Sequence, residues 1–279
     1  MLAAAVLHAG WNAIVKGVQD QAAMFTRTGA AAAVIAAAAL PWVAIPAPAS
    51  WPWLIGSVAV HVGYNLALIA AYRLGDFNQA YPLARGLGPL VATAIAYLTI
   101  HEPLPALALA GVLLVGGAIA VLGLTPWRRV RANRPALAAA VATGVAIGAY
   151  TVVDGIGVRR SDSSLGYTLV LTGLQGLVTI AVMARLRSTP AIQTRAAGTA
   201  STATWPLALT TTLMSIGAYG LVLWAQTRGA LGAIAALRES SVVVAAVLGA
   251  VVFREALSRV RIAASVVVTA GVVLLAAGG

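Results

Sequence analysis

Two arginines and a glutamate stand where a chain this apolar tolerates charge least. Arg85 lies inside the run from Phe77 to Ile100, and the pair Arg238 and Glu239 lies inside the run from Leu231 to Phe253. Arg85 is about eight residues into its run, which at 1.5 Å per residue puts it roughly 12 Å below a membrane surface and about 3 Å from the midplane. Charge at that depth costs at least about 2.5 kcal/mol to insert, so each arginine must face a polar cavity or a partner. A guanidinium offers paired donors to a carboxylate or a phosphate-like group, so the chemistry these residues can do is anion recognition. Two readings of Arg238 stay open: it lines a central cavity with Arg85, or it pairs with Glu239 or helix carbonyls and holds structure. Glu239 is either the site of a coupling proton or the fixed partner of one of the arginines.

Polar and aromatic side chains recur at helical spacing around these charges. His8, Trp11 and Asn12 share one face with Lys16, and Trp11 and Asn12 are candidate substrate contacts. His61, Tyr64, Asn65 and Tyr72 repeat the pattern in a later run, Tyr81 precedes Arg85 by one turn, and Tyr150, Tyr219 and Trp224 add aromatic groups in the second half. The candidate substrate-binding set is Arg85, Arg238, Glu239, Trp11, Asn12, Tyr64, Tyr81, Tyr150 and Tyr219. Asp154, Lys16, Glu102 and Glu255 fall near helix ends and are read as anchors to the interface or to loops. Trp42, Trp51, Trp53, Trp127 and Trp205 are read as an interfacial belt. Pro82 is read as a first-turn proline or as a break that opens carbonyls. Small residues at Gly111, Gly116, Gly117, Ala264 and Gly271 predict close helix contacts.

An enzyme would need more. The histidines His8, His61 and His101 are scattered, no paired-histidine or paired-aspartate motif occurs, and there is no cysteine, so no catalytic residue, metal site or cofactor is expected. A channel is disfavoured by the lack of a filter-like loop or a ring of like charges.

The elements that must position these residues are membrane helices. Of 279 residues 61% are hydrophobic and 9% charged, against about 25% charged in a soluble domain. The mean hydropathy is +0.92. The net charge of +11 comes from arginines between apolar runs, where anionic lipid accounts for them without nucleic acid. Ten runs are predicted as helices: Met1 to Val18, Ala22 to Ile45, Trp51 to Tyr72, Phe77 to Ile100, Leu104 to Leu124, Pro135 to Val158, Leu165 to Ala184, Trp205 to Thr227, Leu231 to Phe253 and Leu257 to Ala277. The first run lacks a basic n-region and is read as a membrane helix instead of a signal peptide.

The runs repeat. Arg85 and Arg238, Glu102 and Glu255, and Leu104 and Leu257 are each 153 residues apart. Tyr64 and Arg73 stand 155 residues before Tyr219 and Arg228, and Gly10 and Gly17 stand 138 before Gly148 and Gly155. This divides the chain into a five-helix repeat over 1–124, a basic connecting loop over 125–134 and a second five-helix repeat over 135–279. Five helices per copy is an odd number, so the copies enter the membrane from opposite sides. The predicted fold is an all-α integral membrane protein of ten transmembrane helices in two inverted-topology repeats, with its site near the midplane between them. Counting basic residues in the loops puts both termini outside the cytoplasm.

His8-Ala9-Gly10-Trp11-Asn12-Ala13-Ile14-Val15-Lys16, Tyr81-Pro82-Leu83-Ala84-Arg85-Gly86 with Glu102-Pro103-Leu104, Ala149-Tyr150-Thr151-Val152-Val153-Asp154-Gly155, and Leu237-Arg238-Glu239-Ser240-Ser241 with Glu255 resemble the EamA-type permeases of the drug/metabolite transporter (DMT) superfamily. The resemblance covers nearly the whole chain. It implies a multi-pass carrier of the inner (cytoplasmic) membrane that moves a small organic solute by alternating access, often as an exporter, with both termini in the cytoplasm, opposite to the charge count. The expected function is transport of an anionic or zwitterionic metabolite such as an amino acid or organic acid. The alternative is export of cationic drugs coupled to protons through Glu239. Expected partners are the small-molecule substrate, the lipid bilayer and a coupling proton, with no nucleic acid, in a monomer or a homodimer.

Overall fold

The computed structural model describes residues 1–18, 20–75, 77–125, 133–187, 203–244, 247 and 259–278. Lengths of uninterrupted apolar sequence close into helices because each backbone group is then satisfied within its own segment. The helices are α1 (Leu2–Gly17), α2 (Gln21–Ala39), α3 (Trp51–Leu74), α4 (Phe77–Ile100), α5 (Ala106–Gly123), α6 (Arg134–Arg159), α7 (Ser164–Arg187), α8 (Trp205–Gln226), α9 (Leu231–Arg238) and α10 (Arg259–Ala277). Among the described residues seven segments are long and apolar enough to cross a membrane, those of α2 to α8. Leu2–Val15 and Ile262–Ala277 are apolar but shorter.

The distribution of burial is the reverse of that in a soluble protein. Val34, Ile55, Leu98, Leu113 and Val266 are exposed, while Arg85, Asp154, Arg238 and Glu239 are buried. An apolar outside and a polar inside need lipid as solvent, so this is a multi-pass membrane protein. Trp42, Trp51 and Trp205 are exposed as belt residues should be, and Arg160 stacks 5.0 Å from the ring of Trp53.

The packing follows a pattern that the chain order does not dictate. Helix α6 lies against both α3 and α4, α1 packs on α8, α2 on α7, α5 on both α4 and α10, and α9 on α4. Glycines set the closest of these contacts. A Cβ on Gly29 of α2 would lie 2.8 Å from the Gly176 carbonyl oxygen of α7, and a Cβ on Gly176 would meet the Gly29 carbonyl oxygen in turn. Gly111 of α5 and Gly271 of α10 make the same reciprocal contact, at 2.8 and 3.0 Å. Replacing Gly29 by leucine should push α2 and α7 apart at a cost of about 1–3 kcal/mol. Thermal melting of the purified variant checks this, and an unchanged melting temperature would show that the contact is not tight. Gly117, expected to make a similar contact, has nothing near its Cβ position.

Two helix boundaries differ from the sequence expectation by more than one helical turn. Helix α2 ends at Ala39 instead of Ile45, passing into a 3-10 turn at Leu40–Trp42 where Pro41 has no N–H to continue the ladder. The predicted helix from Leu231 to Phe253 breaks at Arg238. The Glu239 and Ser240 N–H groups donate to Ala236 and Leu237 at i→i−3 spacing, and helical structure resumes at Ser241. The Ser240 hydroxyl donates to the Leu237 carbonyl at 2.8 Å, offering the backbone the local alternative that serine favours over a helix interior. Most of the predicted connecting loop, Trp127 included, and Arg254, Glu255 and Leu257 lie outside the described residues, as do the side chains of Lys16, Tyr72 and Arg73.

Candidate functional site

Helix α4 carries Tyr81, Pro82, Arg85 and Gly86 on successive turns, and its interior prolines Pro82 and Pro89 are held within an unbroken helical span. Pro82 therefore lies beyond the first turn. Gly86 backs onto Gly116 of α5 closely enough that neither position has room for a Cβ. That contact fixes α4 from behind and leaves Arg85 facing the break after α9. There the Arg85 Nε lies 2.9 Å from Glu239 Oε2. Its Nη1 donates to His8 Nε2 at 3.1 Å and its Nη2 to the Ser241 hydroxyl at 3.3 Å. A guanidinium only donates, so His8 Nε2 is the acceptor and its ring hydrogen is on Nδ1. Arg238 Nε stands 3.5 Å from Glu239 Oε1. One carboxylate thus sits between two guanidinium groups, the fixed-partner reading of Glu239.

These groups border a cavity of about 220 Å³ lined by residues of α1, α3, α4, α6, α7, α8 and α9. Its wall contains Trp11, Asn12, Tyr64, Tyr81, Arg85, Tyr150, Tyr219 and Arg238. Eight of the nine sequence candidates therefore meet at one place. Glu239 is not on the wall and lies behind the arginines it pairs with, a departure from its expected role as a substrate contact. Arg85 packs 5.8 Å from the Tyr81 ring and Arg238 packs 5.9 Å from that of Tyr150. His61 stacks on Tyr150 at 4.2 Å, with Tyr64 edge-on to both.

The donors on this wall are not all used. Trp11 Nε1, Gln175 Nε2 and Arg238 Nη2 are buried without a hydrogen-bond partner among the described residues. Each unmet buried donor costs about 1–3 kcal/mol, which favours a ligand rich in acceptors. Asn12 differs, since its Nδ2 donates to the His8 carbonyl at 2.6 Å, a bond within α1.

Sequence reasoning missed Thr172, Gln175 and Ser215, which line the cavity with His8 and His61. Gln175 had a usable signal, as a lone amide in an otherwise apolar span. Asp154 requires a correction. Expected to reach the interface from a helix end, it is fully buried, with the hydroxyls of Tyr167 (3.2 Å) and Tyr219 donating to its two oxygens. Trp224 is half exposed and carries Arg228 4.1 Å from its ring, away from the cavity.

One end of the bundle is tied by charge. Glu102 Oε1 pairs with Arg159 Nη2 at 2.9 Å, and Glu102 Oε2 accepts from the Leu231 N–H at 2.7 Å. Arg159 also donates to the carbonyls of Gln226 and Gly229, each at 2.7 Å. His101, at φ 50°, turns the chain after α4 so that Glu102 reaches back over these helix ends. The loop-anchoring role expected of Glu102 is the one it has.

No family model and no curated protein matches this chain. Among 27 matching chains of solved structures, one described only as a crystal structure of a protein is similar at 20% identity, over 98% of this chain and 93% of that one, with a TM-score of 0.72. The likeness is one of fold.

Proposed function

We propose that this chain is a secondary transporter of the EamA type, of the drug/metabolite transporter superfamily, carrying a small organic anion or zwitterion across the cytoplasmic membrane by alternating access. The observation that carries this reading is the convergence of Arg85 and Arg238 on one cavity, beside donors on Trp11, Gln175 and Arg238 that are unpaired among the described residues. A volume of about 220 Å³ is below the usual range of about 300–1,000 Å³ for drug-sized ligands and suits a small metabolite. Inverted repeats are supported by the packing: α1 on α8 mirrors α6 on α3, while α2 on α7, α4 on α9 and α5 on α10 pair equivalent helices. The reciprocal glycine contacts are what an isologous two-fold interface requires.

The aromatic walls favour a second reading, a cation held on tyrosine faces. Thermal melting of the purified protein with a panel of amino acids, organic acids, phosphonates and cationic drugs separates the two. A ligand at 100 times its dissociation constant adds about 2.7 kcal/mol to the folded state. Organic acids or amino acids should stabilise the wild type and not Arg238→Gln, a variant in which Glu239 keeps its closer partner, Arg85. Equal stabilisation of both proteins by cations would overturn the anion reading.

A further inference from the structure

The buried charge in this protein is not fully matched into ion pairs. Arg85 and Arg238 both turn to Glu239, at 2.9 and 3.5 Å, while Asp154 is fully buried with no ion pair among the described residues. Its neighbours offer hydroxyls instead. Tyr167 of α7 donates to Oδ1 at 3.2 Å and Tyr219 of α8 to Oδ2. Beyond Tyr219, the titratable or charged groups on the cavity wall are His8 of α1, His61 and Tyr64 of α3, Tyr81 and Arg85 of α4, Tyr150 of α6 itself and Arg238 of α9. His61 Nδ1 lies 2.9 Å from the Ser57 carbonyl, so that nitrogen carries the hydrogen. Tyr219 both bonds Asp154 and lines the cavity, which leaves the carboxylate one hydrogen bond behind the wall.

A carboxylate in that position is relieved of its burial cost by taking up a proton. From this geometry, and resting on the transport reading above, we infer that Asp154 is a proton-binding site that couples proton and anion in the same cavity. With Asp154 ionised, two arginines face two carboxylates and the surroundings of the cavity are neutral. Protonation leaves one net positive charge to meet an anion. The proton is delivered from water through the cavity to Oδ2, which then donates to Tyr219 Oη. The hydrogen that Tyr219 had given to Asp154 is released to turn toward the cavity, adding a donor. Proton and anion therefore bind together and cross in the same direction, and the two gradients decide the net flux. By reciprocity, anion affinity should rise up to about tenfold for each unit of pH lowered through the titration.

The proton itself is the first probe. Infrared difference spectra of the purified protein, recorded as pH is lowered, should show the C=O stretch of a protonated carboxyl appear in wild type. The band should be absent in Asp154→Asn, persist in Glu239→Gln and His61→Gln, and shift its midpoint in Tyr219→Phe. Melting curves establish that each variant is folded. A wild type without a titrating carboxyl band, or a band that survives in Asp154→Asn, overturns the site.

Proteoliposomes enclosing a pH-sensitive dye test the coupling with the organic acids of the panel. Wild type should acidify the lumen as an acid enters, and the acidification should be lost in Asp154→Asn. Acid movement in wild type with no pH change overturns the coupling. If wild type moves none of the panel, the coupling and the transport reading fail together, while the infrared titration decides the proton site separately.

Discussion

Replacing Arg85 with alanine should abolish anion binding and lower folding stability by about 3–5 kcal/mol, the cost of leaving a buried charge without its main partner. The guanidinium ties α1, α4 and the break after α9 together through His8, Glu239 and Ser241. Without it Glu239 keeps only Arg238, at 3.5 Å, and the fully buried carboxylate is left under-compensated. Two further variants separate the structural from the binding role. Arg85→Ala combined with Glu239→Gln removes both charges and should recover part of the lost stability while still failing to bind anions. Arg85→Lys keeps the charge but lacks the planar fork, so it should hold Glu239 and lose either His8 or Ser241. Its melting temperature should fall between those of wild type and alanine variant, with anion affinity reduced. Chemical denaturation or thermal melting with a ligand titration reads both effects. An alanine variant as stable as wild type would show that the pair does not hold the break.

How much of this was legible in the sequence depends on what each residue's signal was. The buried arginines could be read because charge in an apolar run must be explained, and the aromatic candidates because helical spacing placed them on shared faces. Spacing along one helix says nothing about which faces meet, so the closure of Trp11, Tyr64, Tyr150 and Tyr219 around one cavity came only with the packing. Asp154 was misjudged because its distance from a helix end was equated with depth. Helix α6 is flanked by α3 and α4 and its last turn is tied through Arg159, so five residues from its end is still interior. The break at Glu239 was hidden for another reason. Leu231 to Phe253 is apolar enough to pass for one helix, and the interruption comes from a serine hydroxyl competing locally and from neighbouring charges held together by other helices.

Loss of the Glu102 charge should open the tied end of the bundle. Glu102 joins four helix ends: it follows α4, pairs with Arg159 at the end of α6, and through Arg159 reaches the last carbonyl of α8, that of Gln226, and the Gly229 carbonyl just beyond it. With its other oxygen it caps α9, whose N-cap residue Ala230 supplies no side-chain bond to the first orphan N–H groups. In an alternating-access cycle these ends must part in one of the two states. A hydrogen bond to a charged group contributes about 1.5–3 kcal/mol, so Glu102→Gln should shift a two-state equilibrium about tenfold or more toward the opened form. The chain has no cysteine, so a single one introduced at Thr151 reports without background. Thr151 is buried on α6 between the lock and the cavity, and its carbonyl accepts from Gln226 on α8. Its reaction with a membrane-impermeant thiol reagent should quicken about tenfold or more in Glu102→Gln, matching the shift in population. If the network only braces the fold, Glu102→Gln lowers the melting temperature and leaves the labelling rate where it was. A faster rate with folded protein identifies these four helix ends as the gate.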